Sequence, residues 1–206
     1  MLASITTARA SYDQLETWNS VDAATLAPED SQEMRARAVV RDATTGLWRG
    51  ISRAEACLAM GLPAEYADSI KSEHKAAVCI GSAFSSALAA HALSSHFPAL
   101  QDNFESINYV DLFAGIGVGA YVAVIASECG LINLNAIVSV ELDPERSDVF
   151  AAWLASRPAG RRVRHVRIRD ITLVSDAEWQ ELLLELGGAH LVCGGSPCNN
   201  MSGACP

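Results

Sequence analysis

Residues 107–129 read INYVDLFAGIGVGAYVAVIASEC. An apolar run from Ile107 to Phe113 meets a glycine-rich turn, and small apolar residues then recur at helical spacing from Gly117 to Cys129. The pattern predicts a strand, a tight turn and a helix. Gly115 and Gly117 suit a turn that side chains would obstruct, and they bring bare backbone close to any ligand lying on it.

The same alternation continues toward the C-terminus. Ala136 to Val140 predicts a second strand ending at Glu141, and Pro144 stands in the first turn of a helix running to about Ser156. Val163 to Ile168 alternates with Arg and His, as in a half-solvated or edge strand. Ser175 and Glu178 form a capping box for a helix to about Leu186. Ala189 to Cys193 predicts a fourth strand, and Gly194-Gly195-Ser196-Pro197 turns out of it. Strands alternating with helices predict an α/β fold with a parallel sheet.

Toward the N-terminus the period changes. Lys71 to Phe97 is expected to be largely helical, with a break at Gly81-Ser82 and an end at Pro98. Ser52 and Glu55 cap a helix through Met60 that Gly61 and Pro63 stop. Val39 to Trp48 holds an Asp-Ala-Thr-Thr-Gly turn between short apolar pieces, a hairpin pattern. Residues 1–38 form a polar arm, and 39–206 form one domain, in two parts, 39–98 and 104–206.

Three acidic residues fall where ligands meet such sheets. Asp111 heads the glycine turn, Glu141 ends the second strand and Asp170 ends the third. Glu141 suits a ribose diol, Asp170 an adenine edge, and Asp111 a positive ammonium. A nucleotide-like ligand across the strand ends fits all three. The G-x-G-x-x-G register of NAD sites is missing, since Gly119 is followed by Ala120, Tyr121 and Val122. S-adenosyl-L-methionine carries ammonium, ribose and adenine together. Beyond the fourth strand, Cys198 stands on a turn past a strand's carboxyl end, a place for a nucleophile whose pKa is lowered.

Composition narrows the classes. Fifteen Lys and Arg against 24 Asp and Glu give a net charge of -9 over 206 residues. Binding to nucleic acid by overall charge is therefore excluded, and only a local patch such as Arg161, Arg162, Arg164, Arg167 and Arg169 is available. No apolar run reaches the roughly 18 residues of a membrane span, so no membrane partner is expected. The cysteines at 57, 79, 129, 193, 198 and 205 form no zinc spacing, so no metal is expected. Cys57, Cys79, Cys129 and Cys193 sit in apolar patterns and are expected as buried free thiols. The opening MLASITTARAS is a faint match to a transit peptide, but Asp13 and Glu16 come too early for one.

Four motifs together carry a resemblance. DLFAGIGVGA (111–120) resembles the first motif of the cytosine carbon-5 DNA methyltransferases, and GGSPCNNMSGA (194–204) resembles their Pro-Cys motif. SVELDPER (139–146) and RIRDIT (167–172) stand where the ribose and adenine motifs belong. The Asn199-Asn200 form is similar to the plant domains-rearranged enzymes and near to the animal de novo enzymes. Leu47-Trp48, Gly61-Leu-Pro-Ala-Glu-Tyr-Ala-Asp68 and Gly81-Ser-Ala-Phe84 resemble motifs that usually end such an enzyme, here placed first. That order is similar to the circularly permuted, domains-rearranged arrangement.

The resemblance implies a Rossmann-like class I methyltransferase fold, permuted and truncated. It implies S-adenosyl-L-methionine held by Asp111, Phe113, Gly115, Ile116, Gly117, Glu141, Leu142, Asp170, Ile171 and Phe84. It implies action on duplex DNA in the nucleus: a cytosine is flipped out, the Cys198 thiolate adds at carbon 6, carbon 5 is methylated, and the thiolate departs after loss of the carbon 5 proton. Pro197, Asn199, Asn200 and Ser196 would shape that loop. The family also uses a Glu-Asn-Val motif to protonate ring nitrogen 3, and no such triplet occurs in these residues. Arg167 and Arg169 form an Arg-x-Arg pair, but they lie in the third strand, so the family's catalytic arginines are not carried onto them. The chain thus reads as an incomplete enzyme. The other readings are an inactive remnant binding cofactor or a methyltransferase homologue as partner, and an RNA cytosine methyltransferase.

Overall fold

The computed structural model describes residues 39–41, 44–46 and 48–195. Strands β1 (Val39–Arg41) and β2 (Trp48–Gly50) pair antiparallel, with Val40 opposite Arg49. Four helices follow: α1 (Arg53–Ala59), α2 (Glu73–Gly81), α3 (Ser86–Ser94) and α4 (Phe97–Asn103). The remainder alternates β3 (Ile107–Leu112), α5 (Val118–Glu128), β4 (Leu134–Val140), α6 (Pro144–Ala155), β5 (Arg164–Ile168), α7 (Asp176–Leu186) and β6 (Leu191–Gly194).

The four later strands form one parallel sheet in the order β5-β4-β3-β6, a Rossmann-like α/β arrangement. The chain steps outward from β3 to β5, then returns to lay β6 on the other side of β3. Open sheets form a crevice at the strand carboxyl ends where this direction reverses. Alternate residues serve opposite faces. Ile107, Tyr109 and Ile137 join Ala120, Val124, Val149, Phe150 and Trp153 of α5 and α6 in the larger core. Val110, Ala136 and Val138 meet Leu186, Trp179 and Leu182 of α7 in a smaller one.

The front segment belongs to the larger core. Ala56, Cys57, Leu62, Tyr66, Ile80 and Leu93 all join the cluster that holds α5 and α6. Ser86 fixes the path of the segment: its Oγ donates to Gly61 O at 2.7 Å and its N–H to Met60 O at 2.8 Å. Both expected capping boxes form, Ser52 with Glu55 and Ser175 with Glu178. Asp143 caps α6 by accepting from Glu145 N, with Pro144 in the first turn.

Two expectations are corrected, at Pro98 and at Cys129. Pro98 does not end a helix but opens α4, where its missing N–H leaves no bond unmade. The break expected at Gly81-Ser82 forms: Gly81 ends α2, Ser82 closes it and the Ser85 side chain caps α3. The stretch Lys75–Ser94, whose mean hydropathy of 1.6 suits a membrane span by composition, is divided by that break. Cys129 is exposed, because it is the residue that caps the end of α5. Cys57 and Cys79 are buried and Cys193 half-buried, all as free thiols. The Arg-rich strand is β5, at the sheet edge as its alternation predicts.

Candidate functional site

A cavity of about 670 Å³ opens at the carboxyl ends of β3, β4 and β5, a size in the range of small-molecule sites. Its floor is the turn between β3 and α5. Phe113 begins that turn with φ 56°, a left-handed conformation that a non-glycine residue adopts only when its surroundings hold it there. Gly115 also has positive φ, with open space where a Cβ would stand. Gly117 is the exception among the expected ligand residues. It lies behind the cavity wall, and a Cβ there would come within 2.6 Å of Phe150. Its glycine is needed to pack α5 against α6.

The three acidic positions converge on the cavity by different routes. Asp111 is 6% exposed, and its Oδ2 accepts the Ala120 N–H at 3.3 Å. Burial pushes its carboxyl up to about 7, the Ala120 amide and the Tyr109 hydroxyl offset part of this, and the charge of Glu141 adds to it. No cation pairs with it among the described residues. The buried Tyr109 hydroxyl lies between Asp111 and Cys193. Glu141 accepts the Gly115 N–H at 2.8 Å with Oε2 and the Asp143 N–H at 3.0 Å with Oε1. Each carboxylate oxygen keeps a further lone pair for a ligand hydroxyl. Asp170 accepts from Thr172 N at 2.9 Å and Thr172 Oγ1 at 2.7 Å, and these bonds hold its carboxyl below its ordinary range.

Between the acids stand exposed apolar side chains. Phe84 is 56% exposed, Phe113 43% and Leu142 63%, and Ile171 also lines the space. Large apolar groups left in water around one cavity mark a surface built for something flat and apolar. The Phe84 ring also lies on Gly195, where a Cβ would be 2.9 Å from its Cζ, so the front segment reaches the start of the loop after β6. Pro197, Cys198, Asn199 and Asn200, with Ser196, lie outside the described residues.

Sequence reasoning missed part of the wall. Cys79, Ser82, Ala83, Arg146 and Arg169 line the cavity too. Arg146 carries a buried Nε without a hydrogen bond, 3.7 Å from Asp143 Oδ2. Ser82 and Ala83 adjoin Phe84 in a motif already singled out, which was the available signal. Arg146 ends the SVELDPER motif, but its place on the wall depends on how α6 meets α2. Two of the five arginines in the run make internal pairs: Arg164 with Glu185 at 2.8 Å and Arg167 with Asp148 at 2.5 Å. Among the described residues, no His, Cys, Asp and Glu group is placed to hold a metal.

No family model matches the sequence. Curated relatives do. DNA (cytosine-5)-methyltransferase DRM1 of Arabidopsis thaliana is 36% identical over 110 residues, 52% of this chain and 16% of its own length. DNA (cytosine-5)-methyltransferase DRM1A of Oryza sativa subsp. japonica is 34% identical over 111 residues, 53% of this chain and 22% of its own length. DNA (cytosine-5)-methyltransferase DRM2 of the same rice is 32% identical over 110 residues, 53% of this chain and 17% of its own length. The chain therefore matches about a fifth or less of the relatives' own lengths. A turn, two acid-ended strands and a parallel sheet that many nucleotide folds share thus acquire one specific likeness: about half of the chain is similar to DNA (cytosine-5)-methyltransferases of the DRM type.

Proposed function

We propose that this chain carries the cofactor site and the thiol loop of a DNA cytosine-5 methyltransferase, and that the cavity at the ends of β3, β4 and β5 binds S-adenosyl-L-methionine. The carrying observation is the cavity itself, with Asp111, Glu141 and Asp170 set around the exposed Phe84, Phe113 and Leu142. Its size and its mixture of acids and open apolar side chains fit a nucleoside bearing an amino acid. When bound, such a cofactor supplies an activated methyl group.

The residues divide the work. Asp111, buried and without a cation, receives the ammonium and is driven to ionise by it. Glu141 uses its spare lone pairs for the ribose hydroxyls while its bonds to Gly115 and Asp143 hold its orientation. Phe113, Leu142, Phe84 and Ile171 cover the base, and Asp170 meets its edge. Cys198, carried by the loop after β6, adds as a thiolate to carbon 6 of a flipped cytosine and so raises electron density at carbon 5. Pro197, Asn199 and Asn200 shape that loop. The segment from α1 to α3 is the part of the family's fold moved to the front by circular permutation. DNA as substrate places the activity in the nucleus.

The absence of a Glu-Asn-Val triplet from the 206 residues favours a second reading. In it the chain binds cofactor and works through a methyltransferase homologue. Calorimetry with S-adenosylhomocysteine on the chain and its Glu141→Ala variant tests the cofactor site that both readings share. Loss of a charged hydrogen bond predicts about tenfold or more weaker binding in the variant. Equal binding by both would remove Glu141 from the site, and no binding by either would remove the cofactor.

A further inference from the structure

One contact on the glycine turn comes from outside the βα units. Tyr66, in the turns between α1 and α2, is 2% exposed. Its hydroxyl donates to Ile116 O at 2.8 Å and reaches Gly117 O at 3.3 Å. Its ring is fixed on the other side, edge-on to Tyr121 at 5.4 Å and tilted against Trp153 at 5.6 Å. The donor is therefore held by packing on α5 and α6, and it bonds across 50 residues to the turn.

The geometry of the peptide unit gives this contact a consequence. In a trans peptide the C=O and the following N–H point in opposite directions. Gly117 O is held on the Tyr66 side, by Tyr66 and by the Tyr121 N–H at 2.8 Å. The N–H of Val118 is then turned the other way. Val118 and Gly119 both line the cavity, and neither N–H has an acceptor among the described residues. Gly119 adjoins Asp111, whose carboxylate oxygens would stand 3.4 Å from a Cβ placed there.

We propose that Tyr66 is a positioning residue for the ligand turn: its hydroxyl holds the Ile116 and Gly117 carbonyls back, and so aims the Val118 amide, with the Gly119 amide next to it, at the amino-acid end of the ligand. This rests on the cavity being the S-adenosyl-L-methionine site. Tyr66 does not touch the ligand. Its effect passes through the turn and falls on the amino-acid arm rather than on ribose or base.

Tyr66→Phe keeps the ring and its packing and removes only the donor. Two readouts on the full 206-residue chain test the proposal. The first is amide exchange without ligand. The turn peptide, residues 111–121, should exchange about three- to tenfold faster in Tyr66→Phe, while the β4 peptide, residues 134–140, stays within about twofold of wild type. Tyr121→Phe, which keeps the same aromatic packing, serves as the control and should change neither. The second is binding of S-adenosylhomocysteine against 5′-methylthioadenosine, which lacks the amino-acid arm. The variant should bind the first about three- to tenfold more weakly and the second within about twofold of wild type. Unchanged exchange in the turn, a uniform rise across all peptides, or equal losses for both nucleosides would overturn the proposal. If the wild-type chain binds neither nucleoside, the cofactor reading fails, and the exchange comparison still decides the role of Tyr66.

Discussion

Asp111 and His165 set opposing pH dependences within one molecule. Asp111 titrates at about 7 in the fold against an ordinary 3.8, so between those values the folded state holds a proton that the unfolded state has lost. Its contribution to stability therefore falls as pH rises through that window. His165 is half-buried, edge-on to the Phe150 ring at 5.1 Å, with Nε2 2.9 Å from Ser139 Oγ. Burial first, and Arg167 second, lower its pKa from 6.5 to about 4. Between those values the unfolded state holds the extra proton, so the contribution of His165 rises with pH. Each slope approaches about 1.4 kcal/mol per pH unit, and between pH 4 and 6.5 the two nearly cancel. Urea unfolding from pH 4 to 7 should show Asp111→Asn gaining stability with pH, and His165→Gln losing it. Parallel profiles for the two variants would mean that one of these groups is not buried in the state described. The thiols were legible from residue type and pattern at Cys57 and Cys79 but not at Cys129, whose exposure depends on where α5 stops.

Local signals were legible at the level of elements, and long-range ones were not. The capping boxes at Ser52 and Ser175 and the Pro144 start are written within four residues, and all three formed. Pro98 was ambiguous because proline suits both the residue after a helix and its first turn. The start of β4 at Leu134 was hidden by Asn135, an exposed side chain that breaks the apolar run and donates to Asn108 Oδ1 at 2.8 Å. Most positions expected to meet the ligand reached the cavity, since a strand end and its turn are local features. Tyr66 and Arg146 did not show because each acts through a partner element far away in sequence. The turn supplies a prediction of its own. Gly117→Ala must take a left-handed φ of 75° and push a Cβ toward Phe150 at 2.6 Å, and should lose at least about 2 kcal/mol in urea unfolding. Gly115→Ala bears only the strain of φ 58°, in open space, and should lose about 1 kcal/mol. Equal losses would show that the α5–α6 contact is looser than described.

For the molecule as a whole, the features proposed here for a cofactor site do not by themselves supply the reaction, and we predict that these 206 residues alone do not methylate DNA. Attack of a thiolate on carbon 6 places negative charge on the cytosine ring, and the family resemblance assigns its relief to the Glu of a Glu-Asn-Val motif that does not occur here. Loss of one preorganised donor of this kind removes about 2.7 to 4 kcal/mol of barrier lowering, a factor of roughly 100 to 1000 in rate. Substrate binding is weakened as well. The net charge is -9, and the arginines that might offset it are engaged: Arg157 with Glu128, Arg164 with Glu185, Arg167 with Asp148. Exposed Arg161, Arg162 and Arg169 are what the run leaves for phosphates, too few for strong attraction at physiological salt. On the far side of the sheet, β6 pairs only with β3 among the described residues, and Val192 on it is 55% exposed. Methyl incorporation from a tritiated donor into unmethylated duplex DNA, against a Cys198→Ser control, decides the matter. Wild type and control should be indistinguishable. Incorporation clearly above the control would require a proton donor to ring nitrogen 3 within these residues, and would turn the search for it to the acids nearest the loop after β6.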